Sequence, residues 1–151
     1  MTEGFVDKNN TMSSKTLPTL ARAGKWEEVE ALVVEHGVDP DQKTSEWSSD
    51  HEMRALQLAA YYGVAGLAKT LVSHGADIHR KVDERYTALH YAVFFKHYDT
   101  VDALISCGAD PLMPDDEGNT PIGRASEVSD VRMIDLLSKH GDRPATRETV
   151  N

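Results

Sequence analysis

The sequence repeats itself every 33 residues, and that period restricts the architectures open to it more than any single residue does. Gly75-Ala76-Asp77 returns as Gly108-Ala109-Asp110, and the glycine returns again as Gly141-Asp142. Thr87-Ala88-Leu89-His90 returns as Thr120-Pro121-Ile122-Gly123, and one period earlier the same slot reads Arg54-Ala55-Leu56-Gln57. Several landmarks at one spacing near 33 residues specify a solenoid of stacked helix pairs. Inside each unit the apolar residues follow helical spacing. Leu17, Leu20 and Ala21 precede Gly24, and Trp26, Val29, Leu32 and Val33 run to Gly37. Leu56, Leu58 and Ala59 precede Gly63, and Leu67, Leu71 and Val72 run to Gly75. Leu89, Ala92 and Val93 lead to Val101, Leu104 and Ile105 before Gly108; Ile122 and Ala125 lead to Val131, Ile134, Leu136 and Leu137 before Gly141. Each closing glycine suits a helix C-terminus that needs positive φ. No single pair can bury its own stripe, so neighbours must stack.

Composition narrows the function. At 151 residues with 40% hydrophobic and 27% charged content, the chain is long enough for one soluble domain with a substantial core. A net charge of -9 argues against nucleic acid as partner, because phosphate recognition needs an excess of Lys and Arg. Cys107 has no second cysteine to pair with, so a reducing, cytoplasmic setting is expected, with the nucleus as a second option. The opening residues have neither the basic segment nor the apolar run of a signal peptide, and no stretch approaches the roughly 20 apolar residues of a membrane span. The expected organisation is a disordered tail over 1–15, repeats over 16–49, 50–82, 83–115 and 116–143, and a second tail over 144–151.

Asp115-Asp116-Glu117-Gly118-Asn119-Thr120-Pro121, Thr87-Ala88-Leu89-His90-Tyr91-Ala92 and the Gly-Ala-Asp endings together resemble the ankyrin-repeat family over nearly the whole chain. The resemblance implies an all-α solenoid of four helix-turn-helix units. In that family a β-turn finger joins each unit to the next, and the fingers and inner helices line a concave binding face. The chain departs from the pattern in three places. Gly37 and Gly75 are 38 residues apart, which places five extra residues in the finger 38–53, where Trp47 lies. The finger glycine Gly118 is matched by Glu52 and Arg85, so those turns should differ in shape. His90 is matched by Gln57 and Gly123, which should weaken a ladder of hydrogen bonds built on imidazole. The first unit lacks a leading finger and serves as one cap. Asp130, Arg132, Asp135 and Lys139 should keep the last outer helix wet as the other.

Positions that vary between copies are free for binding. The inner helices end in Tyr61-Tyr62, Phe94-Phe95 and Glu127-Val128, which the resemblance directs into the concave groove, with Met53 and Tyr86 beside them. Five of the ten aromatic residues thus fall on groove positions, against the plainer reading that one ring of each pair is core. The fingers 38–53 and 109–119 carry -4 each, which suggests a partner rich in Arg or Lys, unless the acids are turn chemistry. The expected contact set is Trp47, Asp50, Met53, Tyr61, Tyr62, Asp83, Glu84, Tyr86, Phe94, Phe95, Asp116, Glu117 and Asn119. No metal or cofactor is expected. His36, His74, Cys107 and His140 share one repeat position but read as helix-end surface, and a calcium loop at Asp115 fails because its outer ligand slots are Met113 and Arg124. Trp26, Ala65, Tyr98 and Val131 read as packing between outer helices. Catalytic motifs such as a nucleophile elbow, a phosphate loop or a Cys-x-x-Cys pair are absent from the sequence, so a non-enzymatic protein-binding module is expected. The alternatives are a self-associating scaffold subunit or an inhibitor whose long finger plugs another protein's active site.

Overall fold

The computed structural model describes residues 16–42, 53–83 and 85–138. Expectations for the two tails, Trp47, Asp50, Glu84, Lys139 and His140 lie outside those residues. Eight helices appear in the described part: α1 (Leu17–Arg22), α2 (Trp26–Val34), α3 (Ala55–Tyr62), α4 (Ala65–Ser73), α5 (Ala88–Phe94), α6 (Tyr98–Ser106), α7 (Pro121–Glu127) and α8 (131–138). They form two rows. The inner helices pack in the order α1, α3, α5, α7, and the outer helices in the order α2, α4, α6. The core runs between the rows through Leu17, Leu56, Leu71, Leu89, Leu104 and Leu137, all fully or almost fully buried. This is the all-α repeat solenoid expected from the period.

Local chemistry explains where the helices start and stop. Thr87 and Thr120 stand one residue before α5 and α7, and their hydroxyls accept the N–H of His90 at 3.4 Å and of Gly123 at 3.0 Å. Those bonds satisfy first-turn donors that the helix leaves open. Pro121 at the first position of α7 costs no hydrogen bond. At the other end, Gly75 and Gly108 adopt φ of 105° and 103°, and the next N–H reaches back from Ala76 to Leu71 and from Ala109 to Leu104, both 3.0 Å. That is the Schellman arrangement, which closes the last carbonyls of an outer helix.

The fingers share one backbone turn despite their different sequences. Val82 N donates to Tyr86 O at 2.9 Å, and one period later Asp115 N donates to Asn119 O at 2.8 Å. Positive φ moves, as the missing glycine implies: it falls on Gly118 in one finger and on Asp83, at 51°, in the other.

The ladder expectation is corrected in part. Gln57 bonds the residue before its helix as His90 does and also reaches the following finger, at a different position. Its Oε1 accepts Arg54 N at 2.8 Å and its Nε2 donates to Arg80 O at 3.3 Å; His90 Nδ1 accepts Thr87 N at 3.1 Å and its Nε2 donates to Asn119 O at 3.3 Å. An amide offers an acceptor and a donor as the imidazole does, but Gln57 reaches Arg80, whereas the in-phase counterpart of Asn119 is Tyr86, so the two bonds are alike without being one repeated rung. The column Trp26, Ala65, Tyr98, Val131 is also corrected in part. Val131 is 76% exposed, and Trp26 meets Tyr62 at 5.7 Å between ring centroids. Tyr98 does pack across to the next outer helix, donating to Asp130 at 2.8 Å and lying 4.2 Å from the Arg132 guanidinium of α8.

Candidate functional site

The variable ends of the inner helices meet as one aromatic strip. Tyr62 contacts Tyr61 at 5.0 Å, Tyr61 contacts Phe95 at 4.6 Å and Tyr91 at 6.0 Å, and Tyr86 contacts Tyr91 at 5.8 Å and Phe94 at 5.6 Å. Trp26 extends the strip at the Tyr62 end. The spacing has a simple cause. Residues on successive inner helices one period apart, such as Tyr61 and Phe94, lie on adjacent helices at the same height. The rings are exposed: Tyr61 37%, Tyr62 51%, Phe94 44% and Phe95 47%. Contiguous exposed aromatic surface of this kind marks a binding site.

The structure brings together Tyr61, Tyr62, Tyr86, Phe94 and Phe95. Met53 is half-buried and packed on the core. Asp83 is exposed at the tip of the finger, while Asn119 is held through its backbone, donating to Asp115 Oδ1 and accepting from His90. Tyr91 belongs to the strip although sequence reasoning left it in the family motif. It is matched by Leu58 and Arg124 in the neighbouring copies, so the same copy-to-copy variation that marked the pairs was present there too. Burial among its neighbours pushes the Tyr91 hydroxyl up to about 12, so it stays a neutral donor.

The acidic finger is paired with a cation of the neighbouring finger. Arg85 lies 3.1 Å from Asp116 and 3.9 Å from Glu117, and its guanidinium sits 5.0 Å from the Tyr86 ring centre. Arg124 stands 5.3 Å over Phe94, held by Asp115 at 3.2 Å and Glu127 at 3.5 Å. Other acids build turns: Asp39, Asp77 and Asp110 each accept the N–H two residues on at 2.9, 3.0 and 2.9 Å. Asp115, Asp116 and Glu117 offer carboxylate oxygens within 4.8 Å of one another. Asp115 is already satisfied, however, by Glu117 N, Asn119 N and Arg124, and Asp116 by Arg85. Burial alone would raise the Asp115 carboxyl. The two N–H bonds and the guanidinium outweigh it and hold the group below its ordinary range.

Beyond Phe94 the strip opens into a cavity of about 140 Å³ between α5, α7 and α8, floored by Val93, Ala125, Val128 and Met133 and rimmed by Arg124 and Lys96. Among the described residues no helix is long and apolar enough to cross a membrane.

Two rows of short helices, hairpin fingers between units and an exposed strip on the inner row define a repeat scaffold that works by presenting a surface. The family model for ankyrin repeats (3 copies) matches residues 17–115, and the chain belongs to that family. Ankyrin repeats bind proteins and are typically non-enzymatic. Over 85 residues the chain is 38% identical to protein phosphatase 1 regulatory subunit 27 of Mus musculus, 56% of this chain and 53% of the relative. It is 34% identical over 83 residues to the RelA-associated inhibitor of Mus musculus, 55% of this chain and 10% of the relative. It is 31% identical over 111 residues to the mitochondrial disaggregase of Homo sapiens, 70% of this chain and 15% of the relative. The chain therefore spans about half or less of the length of these relatives.

Proposed function

We propose that the chain is a non-enzymatic binding module that takes a segment of a partner protein, extended or helical and carrying Arg or Lys, along the strip from Tyr62 to Phe94. The observation that carries this reading is the unbroken ring contact from Tyr62 through Tyr61, Tyr91 and Tyr86 to Phe94, with Phe95 packed on Tyr61, on an exposed face. The basic character of the partner rests on the net charge of -9 and on Asp116 and Glu117 beside Tyr86, where an incoming cation shares the acids with Arg85. Two relatives whose names describe a regulatory subunit and an inhibitor favour action through binding, which also fits the inhibitor alternative.

The test begins with capture of the partner on tagged protein and its identification by mass spectrometry. Affinity is then read from Trp26 fluorescence in a Trp47→Phe background, since Trp26 adjoins Tyr62. Tyr62→Ala with Phe95→Ala should leave the helical circular dichroism intact and weaken binding about 30-fold or more, corresponding to about 2 kcal/mol at a hot spot. Unchanged affinity in the folded double variant defeats the groove reading. An affinity that does not fall as salt rises defeats the basic-partner part alone.

A further inference from the structure

The ring contacts that Tyr61 makes with the next inner helix have counterparts one unit later, where Phe94 holds the same repeat position. Tyr61 meets Tyr91 at 6.0 Å and Phe95 at 4.6 Å. One period after Tyr91 and Phe95 stand Arg124 and Val128. Arg124 keeps its contact in another form, with the guanidinium 5.3 Å over the Phe94 ring. Val128 does not. It closes α7 as Phe95 closes α5, but it is an exposed valine where the preceding unit has a phenyl ring. The cavity of about 140 Å³ is lined by Phe94 and Val128 together, with Val93, Ala125 and Met133. The aromatic strip therefore stops one ring short, and the cavity adjoins the place of the missing ring.

The lining selects the occupant. Its charges cancel, Lys96 and Arg124 against Glu127 and Asp130. Asp115 and Glu127 already hold Arg124 at 3.2 and 3.5 Å, and Asp130 already accepts the Tyr98 hydroxyl at 2.8 Å. An ion finds no net opposite charge there, so the recess suits a neutral, apolar group. Two features favour a ring over an aliphatic chain. Phe94 offers a partner for the tilted or edge-on contact that aromatic pairs prefer, as Tyr61 does for Phe95. The Arg124 guanidinium is planar and held in place, and can face a second ring as it faces Phe94.

We propose that this cavity is an anchor pocket for one aromatic side chain of the bound protein segment, whose ring takes the place on Phe94 that Phe95 takes on Tyr61. The inference rests on the strip as the binding face, with which the cavity is continuous through Phe94. It adds a register: the aromatic residue of the segment lies over α7, one ring beyond Phe94.

The probes are N-acetyl-phenylalanine amide and N-acetyl-leucine amide, titrated separately into the whole chain and followed by methyl NMR. Saturable shifts are expected at the Val128 and Met133 methyl groups, with the phenylalanine probe bound about threefold or more tightly than the leucine probe. Val128→Phe supplies the missing ring from within the chain. It should keep the helical circular dichroism, and should weaken both the phenylalanine probe and the captured partner about tenfold. Val128→Ala leaves the recess open and should keep the preference for the phenylalanine probe. Equal affinity for the two probes, or Met133 shifts undiminished in folded Val128→Phe, overturns the proposal. Partner affinity unchanged in Val128→Phe but reduced by Tyr62→Ala with Phe95→Ala overturns the pocket and leaves the strip reading standing. Affinity unchanged in both defeats the two together.

Discussion

At the scale of single residues, the inner helices show how one chemical task is met by different side chains. His90 and Gln57 each tie the residue before their helix to the finger that follows, and only His90 can titrate near neutrality. Burial lowers the His90 pKa below the ordinary 6.5, although the bond to Asn119 O opposes it. The unfolded chain therefore takes up its proton first as pH falls. Stability owed to the neutral ring is complete above 6.5 and is lost as pH drops below it towards the folded value. His90→Gln should melt like the parent near neutral pH, and its melting temperature should fall less between pH 6.5 and about 5. A parallel decline in both proteins would show that His90 is not the titrating group. Gly63 poses a steric question instead. The same left-handed slot between paired helices is filled by Lys96 at φ 57° and Ser129 at φ 54°, so backbone strain alone does not require glycine there. A Cβ on Gly63 would lie 2.7 Å from His97 Nδ1, and that ring is pinned to Tyr61 O. Gly63→Ala should cost more than the 1–2 kcal/mol or so of left-handed strain. Gly24→Ala, with open space around its Cβ, should cost about that strain alone. Chemical denaturation compares them, and adding His97→Ala should recover part of the Gly63→Ala loss.

At the scale of elements, the finger 109–119 is organised around one buried carboxylate. Asp115 accepts from Glu117 N at 2.9 Å and Asn119 N at 2.8 Å while holding Arg124 over Phe94. Asp115→Ala leaves two N–H groups and a guanidinium without their acceptor and should destabilise the fold by about 1–3 kcal/mol. Because the folded carboxyl is held below the ordinary 3.8, its contribution is present above that value and disappears as pH falls through the folded one. Asp115→Asn should therefore show a shallower acid transition than the parent, read by circular dichroism below pH 4 or so. The existence of this finger was legible from Asp115 to Gly118, because turn residues act locally. Its pairing was not. That Arg85, 31 residues away, would neutralise Asp116 depends on how adjacent fingers are juxtaposed, which no local pattern encodes. Tyr91 carried the same variation between copies as the pairs, but its contacts with Tyr61 and Tyr86, on a different helix and a finger, follow only from the packing of neighbouring units.

For the whole molecule, the period made the architecture readable, because each unit repeats the same burial problem and solves it against its neighbours. Where the period breaks, after Gly37, the reading has least support, and the extra residues fall outside the described part. A linear stack also has a thermodynamic signature. An interior unit is held on both sides, while the last described unit is held chiefly on one, so stability should be graded along the chain. Leu104 and Leu137 are both completely buried, the first in α6 and the second in α8. Truncating either to alanine removes similar contacts, worth about 2–5 kcal/mol. The consequences should differ in kind. Leu104→Ala lies inside the stack and should lower hydrogen-exchange protection from α3 to α7 together. Leu137→Ala should release α7 and α8 first, leaving α3 to α6 protected until the global transition. Native-state exchange followed by NMR resolves the two patterns. Uniform loss of protection in Leu137→Ala would mean that the four units unfold as one body, with no terminal unit free to open on its own.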